Sequence, residues 1–447
     1  MSRPRFCKKF MPRSMPQQLA AIGLSANGQT LADTQLYKAP PPAALGQCLD
    51  PSGGDWENID PPEPDEWLDA MLEKTPDQSF SDFVASRPNR PDRRRCTVLL
   101  QPICAAEELQ GPSFPAGPWP SWQFLEAAVS RFYAPMNVRT LPAVPMEELG
   151  RPPVQSRMNS YGLQWHAGQV LDRLAARGMP SDAYCMLAVT MCDLYPREEW
   201  NFVYGLARLF ARVGIFSFVR HTPFQQADEA WLGAQLLHRA TKTMLHEIGH
   251  MFGMKHCTWY NCLMRGSNGE EVEHQKNCLH LCPVCLRKLH WSVGFDIRSQ
   301  YASLLELYET YEVANECFGR DCDFLRRRLS ALGDLPEGAT MLHTIGNTRR
   351  SVPAPTRRVV GSRAPARESP SPASSARTSQ GRTTTPCVER RRVRSPTAIG
   401  GTVVGTPQQQ QNAQTSATSR QVVRVAARVG QPQQAAARSL AASPARA

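Results

Sequence analysis

The sequence predicts an α/β (α+β) fold, in which helices pack on a twisted mixed sheet and a long helix leads into a metal-binding region. Residues 183–191 form a nearly continuous apolar run, which is typical of a strand covered on both faces. Residues 163–176 and 226–245 carry apolar side chains at helical spacing. Since strands and helices alternate before the metal-binding region, we expect a mostly parallel sheet with one edge strand lining a cleft.

The remaining elements follow from periodicity and turn residues. The apolar run and two further strands come before the long helix, and a small C-terminal subdomain comes after it. In chain order we expect a strand at 98–101, a helix at 121–132, a strand at 137–144, a helix at 163–176, strands at 183–191, around Phe202 and around Ile215, the long helix, and helices near 279–290 and 299–316.

Three histidines have the spacing of a catalytic metal site. On a helix, residues four apart differ by about 40° and rise about 6 Å, so His246 and His250 direct their imidazoles at one ion. Gly253 tolerates the left-handed conformation that ends helices, which lets His256 return toward the metal. Three protein ligands leave a fourth position open, as a catalytic zinc requires. Another divalent ion is the alternative, although three imidazoles suit zinc best among the usual choices.

Glu247 follows the first of these histidines and is the expected general base. It takes a proton from a metal-activated water and passes one to the leaving amine of a peptide bond. A coincidental H-E-x-x-H on a surface helix is the alternative interpretation, and the full string through His256 is far more specific than that fragment.

Four cysteines predict a second, structural zinc site. A four-thiolate tetrahedron has no open position, and metal binding there contributes folding free energy on the order of 10 kcal/mol. Disulfides are the competing interpretation, but the irregular spacing of the other ten cysteines and the lack of a recognisable secretory signal favour a reducing compartment and a metal. We therefore expect two Zn²⁺ per chain. The structural ligands are Cys257, Cys262, Cys282 and Cys285, so the small C-terminal subdomain is expected to be zinc-stapled.

The metal-binding stretch resembles the archaemetzincin signature at every defining position. It reads H-E-I-G-H-M-F-G-M-K-H-C, four residues, Cys262, one residue, Met264, seventeen residues, C-P-V-C. The resemblance covers about residues 95–330. It implies a metzincin-like metallopeptidase domain with a catalytic zinc on the three histidines, Glu247 as general base, a structural zinc on the four cysteines, and Met264 as the Met-turn beneath the metal.

The same resemblance implies short peptide substrates with an aminopeptidase-like preference. Nothing in these residues selects a free amino terminus. Residues 206–212 are more apolar and basic than the family pattern, so substrate preference is not carried over. Tyr260 and His290 are candidate oxyanion stabilisers, whereas His274 and His280 are expected to be surface or packing residues.

Composition divides the chain into three segments. Residues 1–94 are an irregular, proline-rich N-terminal extension, in which residues 67–72 form an amphipathic turn expected to dock on the domain. Residues 95–335 are the archaemetzincin-like zinc peptidase domain. Residues 348–447 carry 17 Arg, no Lys and two acidic residues, a charge of +15 against +11 for the whole chain, so the rest carries 11 − 15 = −4. We expect this Arg/Ser/Pro/Gln-rich tail to be disordered.

Partners and location follow from the same composition. No run of 18 apolar residues exists, so we expect no membrane-spanning helix. Dispersed Arg without interleaved aromatics does not favour specific nucleic-acid recognition, and the tail is expected to bind acidic partners. The basic, acid-free first 32 residues are compatible with a transit peptide, although a plain basic terminus is favoured. We expect a cytoplasmic monomer acting on peptides, with mitochondrial or nuclear location as the alternative.

Two other classes of function remain open at this point. A catalytically inactive, zinc-stabilised interaction module would keep the cysteine site but not the chemistry. The ligands and the base are all present in this chain, which argues against such a loss. A nucleic-acid binder acting through the basic tail would require salt-sensitive affinity in that tail.

Overall fold

A computed structural model describes residues 10–24, 43–62, 67–71, 77–104, 120–221, 229–267, 278–333 and 403–404. All described elements lie in one compact unit. The predicted disordered tail lies outside the described residues apart from 403–404, and so does His274. The three segment boundaries stay predictions. Among the described helices, none combines the length and apolar character that a membrane crossing requires.

The described part of the chain contains ten α-helices, four short 3₁₀ helices and ten strands. Four short helices precede the first strand, which differs from the irregular N-terminal extension that we expected. The helices are α1 (Met15–Ile22), α2 (Ala43–Leu49), α3 (Trp67–Met71), α4 (Phe80–Ala85), α5 (Trp122–Phe132), α6 (Ala167–Arg177), α7 (Glu229–Met251), α8 (Pro283–Val293), α9 (Ile297–Tyr308) and α10 (Glu316–Ala331). The strands are β1 (Thr97–Cys104), β2 (Asn137–Thr140), β3 (Val144–Pro145), β4 (Ser156–Asn159), β5 (Gly162–His166), β6 (Ala183–Thr190), β7 (Asp193–Tyr195), β8 (Gly205–Arg208), β9 (Val213–Ser217) and β10 (Val403–Val404).

The main sheet has the order β10-β8-β9-β6-β1-β2, with β3 also paired to β1. Strands β1, β2, β3, β6 and β9 run parallel, and β8 runs antiparallel to β9. The predicted mixed, mostly parallel sheet is therefore confirmed, and the structure identifies β8 as its antiparallel strand. The outer side of β8 pairs with β10 at Ala207 and Arg208.

Three predicted elements differ from the structure. The helix expected from residue 163 begins at Ala167, because residues 162–166 form β5, which pairs with β4 and β7 in a second sheet. The strand expected around Phe202 is instead β8, three residues later. The last expected helix ends at Tyr308, and a separate helix, α10, begins after Asn315, whose side chain accepts a hydrogen bond from the Cys317 amide at 2.9 Å.

Helix α7 carries the histidines, and its C-terminal end is fixed from two sides. It packs on β6, β8 and β9 through fully buried side chains such as Ile248 and Met251. The Tyr133 hydroxyl donates to the Leu245 carbonyl at 2.6 Å, and the Tyr184 hydroxyl donates to the Met251 carbonyl at 3.3 Å. The bond from Tyr184 satisfies one of the last four carbonyls of the helix, and the two bonds together hold its C-terminal part against α5 and β6.

A buried ion pair holds the chain around β7 and the rim of the cleft. Arg220 donates through two nitrogens to the two oxygens of Asp193, each at 2.7 Å, and the Asp193 side chain is fully buried. The Arg220 guanidinium also lies 3.6 Å from the centre of the Phe202 ring. Next to it, His221 stacks on Tyr204, which directly precedes β8. The edge of the sheet is thereby fixed relative to α7.

Replacing Asp193 with Ala should lower the free energy of unfolding by about 3 to 5 kcal/mol, because Arg220 would stay buried without its carboxylate. Urea unfolding followed by circular dichroism measures this loss. The matched control is Asp172→Ala, which breaks an ion pair to Arg208 whose carboxylate side chain is 60% exposed. That change should stay within about 0.5 kcal/mol. Equal losses in the two variants would contradict the role given to the buried pair.

Candidate metal centres

The three histidines predicted from the sequence converge at the end of α7. Their ligand atoms lie within 4.8 Å of one another, and the Nε2 atoms of His250 and His256 are 3.3 Å apart. Tetrahedral zinc with Zn–N bonds of about 2.0 to 2.1 Å places two ligand nitrogens about 3.3 to 3.4 Å apart. The spacing of these imidazoles therefore fits a zinc ion.

The turn that brings the third histidine back depends on Gly253. Its φ is +89°, a left-handed conformation that favours glycine. The amide of Met254 donates to the Gly249 carbonyl at 3.3 Å, and the Gly253 amide donates to the His250 carbonyl at 2.8 Å. This pattern closes a helix and reverses the chain, as the sequence predicted for this position.

Backbone carbonyls orient two of the three imidazoles. Nδ1 of His246 lies 2.8 Å from the Leu263 carbonyl, and Nδ1 of His250 lies 2.6 Å from the Met254 carbonyl. A proton on Nδ1 leaves Nε2 as the metal-binding atom, so these contacts select the required tautomer.

Burial keeps the same rings neutral. Desolvation lowers the pKa of His246 to about 4 and lowers the pKa values of His250 and His256 well below that of an ordinary histidine. Neutral imidazole is the form that binds a metal ion. The site therefore favours binding of a metal cation over protonation of the imidazoles.

The four predicted structural cysteines also come together. Their sulfurs lie within 4.8 Å of one another, and those of Cys257 and Cys282 are 3.7 Å apart. A disulfide requires about 2.05 Å, whereas tetrahedral zinc with Zn–S bonds of about 2.3 Å places sulfurs about 3.8 Å apart. Burial raises the pKa values of Cys262 and Cys282 well above that of an ordinary thiol, so four thiolates here need a cation. This donor set fits a structural zinc.

Met264 lies directly beneath the helix turn between His246 and His250. A β-carbon added at Gly249 would lie 2.6 Å from the Met264 sulfur, so only glycine allows this approach. The amide of Cys257 donates to the Met264 carbonyl at 2.7 Å, which joins the methionine to the first cysteine. Met264 thus supports both ligand sets through packing and backbone contacts.

Glu247 is 5% exposed and points toward β8. A β-carbon added at Gly205 would lie 2.6 Å from the carboxyl carbon of Glu247. The strand backbone therefore forms one wall of the carboxylate site. No sequence signal identified Gly205, because a single glycine in a strand is equally typical of a bulge or a tight bend.

The two oxyanion candidates and His280 occupy packed positions. Burial raises the pKa of Tyr260, and the thiolates of Cys282 and Cys257 raise it further, so its ring lies beside the cysteine cluster. His290 packs edge-on against Phe295, with ring centres 5.2 Å apart. His280 stacks on Phe324 at 3.7 Å, the packing role that was expected.

The region that contains both ligand sets is similar to known proteins. Residues 153–291 match the profile of Peptidase family M54. The chain is 32% identical over 319 residues to archaemetzincin-2 of Macaca fascicularis, covering 66% of this chain and 86% of the relative. Archaemetzincin-2 of Homo sapiens is 31% identical with the same coverage. The solved archaemetzincin of Methanopyrus kandleri is 25% identical with a TM-score of 0.34, covering 46% of this chain and 99% of that one.

Elemental analysis of the full-length chain should find two zinc ions, one on each ligand set. His250→Ala should lose one zinc and keep the fold, whereas Cys282→Ala should lose the other and lower the thermal midpoint, because four thiolates fold the segment around their metal. Cys185→Ala, at an equally buried cysteine outside both clusters, should keep both ions. A single zinc that disappears only in Cys282→Ala would mean that the histidines hold none.

Proposed function

This chain belongs to the archaemetzincins and is a zinc metallopeptidase, and we propose that His246, His250 and His256 hold its catalytic zinc. In this proposal Glu247 is the general base. Cys257, Cys262, Cys282 and Cys285 hold a second, structural zinc, and Met264 packs beneath the catalytic one. The observation that supports this proposal most is the convergence of the three imidazoles, with Glu247, a buried carboxylate, directly following the first of them on α7.

The three histidines would hold a zinc ion, which would supply Lewis acidity for the scissile carbonyl and for the attacking water. Glu247 takes the proton from the attacking water and delivers it to the leaving amine. The carboxylate is held on one side by its place in the helix and on the other by the backbone at Gly205. It therefore keeps one orientation through both proton transfers.

Strand β8 is the surface on which we expect the peptide to align. A peptide that adds a strand to a sheet edge is held by main-chain hydrogen bonds, with little demand on its side chains. Gly205, at the start of β8, brings that strand against the general base. Since β10 pairs with β8 at Ala207 and Arg208, the peptide would pair with the outer side of β8 at Gly205 and Leu206, where it would present its scissile bond to Glu247.

Cleavage of short peptides with an aminopeptidase-like preference is the finer form of the proposal. The support for it is the family resemblance alone. Pairs of short peptides with free and with acetylated amino termini distinguish aminopeptidase from endopeptidase cleavage, because only an aminopeptidase requires the free amine. Equal cleavage of both members of each pair would make the enzyme an endopeptidase.

Glu247→Gln should lower kcat by about 10² to 10⁴, because the amide cannot accept the proton while its shape is retained. Hydrolysis of the peptide pairs and zinc content are measured on the same preparations. Zinc content should match wild type, since Glu247 is not proposed as a ligand. Undiminished hydrolysis in Glu247→Gln would refute its role as base. A wild-type chain that binds zinc and cleaves no peptide would favour the inactive interaction module.

Gly205→Ala should lower kcat by about 10²-fold, because the added methyl group would displace the Glu247 carboxylate, and a shift of about 1 Å in a catalytic group has an effect of this size. The matched control is Gly233→Ala, at a helical position where an added β-carbon would meet no atom within 4 Å. Both variants should keep wild-type zinc content. Full activity in Gly205→Ala would mean that the strand does not position the base.

A further inference from the structure

The loop that carries His256 and the first two cysteines is contacted by the described parts of the N-terminal segment, residues 10–24, 43–62, 67–71 and 77–88. Gln78 lies at the turn after α7 and is 5% exposed. Its side-chain amide donates to the Gly253 carbonyl at 3.1 Å and accepts from the Lys255 amide at 2.9 Å. Lys288 donates to the Gln78 carbonyl at 2.5 Å. Residues about 175 positions apart in sequence thus fix the turn in place.

Each residue between Cys257 and Cys262 also contacts this segment. The four contacts use hydrogen bonds, a backbone bridge and a cation–π pair, so they restrain both backbone and side chains of the loop. Thr258 donates to Asp77, Trp259 lies 5.0 Å from the Arg13 guanidinium, Tyr260 forms a bridge with Asn58, and the Asn261 amide donates to the Glu57 carbonyl at 2.9 Å.

Trp67 of helix α3 packs on His256 itself. The two rings meet edge to face with centres 4.7 Å apart, and Trp67 is 3% exposed. On the other side the indole lies against the backbone two residues after Met264, where a β-carbon added at Gly266 would be 2.5 Å from the ring. Trp67 therefore packs between His256 and the turn that carries Met264.

His256 depends on this contact more than the other two histidines do. Backbone carbonyls hold Nδ1 of His246 and of His250. In the part of the chain that the structure describes, the His256 ring contacts Trp67 and the other two histidines. Removing a residue that orients a metal ligand without binding the metal itself typically lowers metal affinity about 10- to 100-fold.

We propose that Trp67 and Gln78 are positioning residues of the catalytic centre, through which the N-terminal segment holds His256 in its metal-binding orientation. This inference rests on the proposed zinc ligation by the histidines. It makes the described parts of the N-terminal segment a functional part of the peptidase rather than an appended extension. An autoinhibitory segment that covers the cleft would have the opposite effect on activity when its contact is weakened.

The test compares full-length Trp67→Ala with Trp56→Ala. Trp56 belongs to the same segment and is 7% exposed, but it packs on Phe324 at 5.3 Å and on Arg328 at 5.1 Å. Both variants lose a buried indole, so both should unfold at a lower temperature. The measurement that separates them is the rate at which zinc passes to a chromophoric chelator, with His250→Ala used to identify the phase that belongs to the cysteine site.

Trp67→Ala should release the histidine-bound zinc about 10- to 100-fold faster than wild type, and Trp67→Phe should restore most of the retention because a ring edge remains. Trp56→Ala should release it at the wild-type rate. If Trp67→Ala does not fold, Gln78→Ala decides, and it should also release zinc faster. Equal release from the Trp67 and Trp56 variants, or unchanged release with increased peptide hydrolysis, would overturn the proposal.

The rate of zinc release tests this inference separately from the proposed peptidase activity. A wild-type chain that retains the histidine-bound zinc but cleaves no peptide would refute the peptidase activity, and the release rates would still decide the role of Trp67. A wild-type chain that binds no metal at the histidines would overturn both.

Discussion

Three neutral imidazoles must stay aimed at one point inside a desolvated pocket, and much of the structure serves that constraint. Burial lowers the pKa values of all three, which removes competition from protons but also removes water that would otherwise satisfy the ring nitrogens. The protein must then supply partners for each ring from its own backbone and side chains. Leu263 and Met254 do so for His246 and His250 from within the metal-binding region itself.

The third ligand is harder to hold because it lies on a loop rather than on the helix. A loop five residues beyond a helix end has few local hydrogen bonds, so its conformation depends on what packs against it. Here the first two cysteines of the cluster follow His256 on the same loop, and Trp67 of α3 packs on the His256 ring. The structural site and the N-terminal segment therefore act on the same short stretch, which couples the stability of the fold to the geometry of the catalytic site.

The sequence predicted those parts of the site that depend on local spacing. The i, i+4 histidines, the glycine turn and the C-P-V-C pair each express a short-range geometrical rule, and the structure brings these residues together. Long-range contacts had no such signal. Gln78 meets Gly253 from 175 positions away, and the apolar pattern at residue 163 extended a helix into what is β5, since short apolar runs fit either structure.

Three glycines show a second constraint that spacing rules do not express. At Gly205 the strand backbone meets the Glu247 carboxylate, at Gly249 the helix backbone meets Met264, and at Gly266 the loop backbone meets Trp67. Each pair brings a large side chain within van der Waals distance of a main chain, which a β-carbon would prevent. Close backbone approach replaces flexible side-chain contacts with rigid ones, so a group held this way loses little further entropy during the reaction. The catalytic centre is therefore positioned by close backbone contacts at three glycines as well as by the metal-binding side chains.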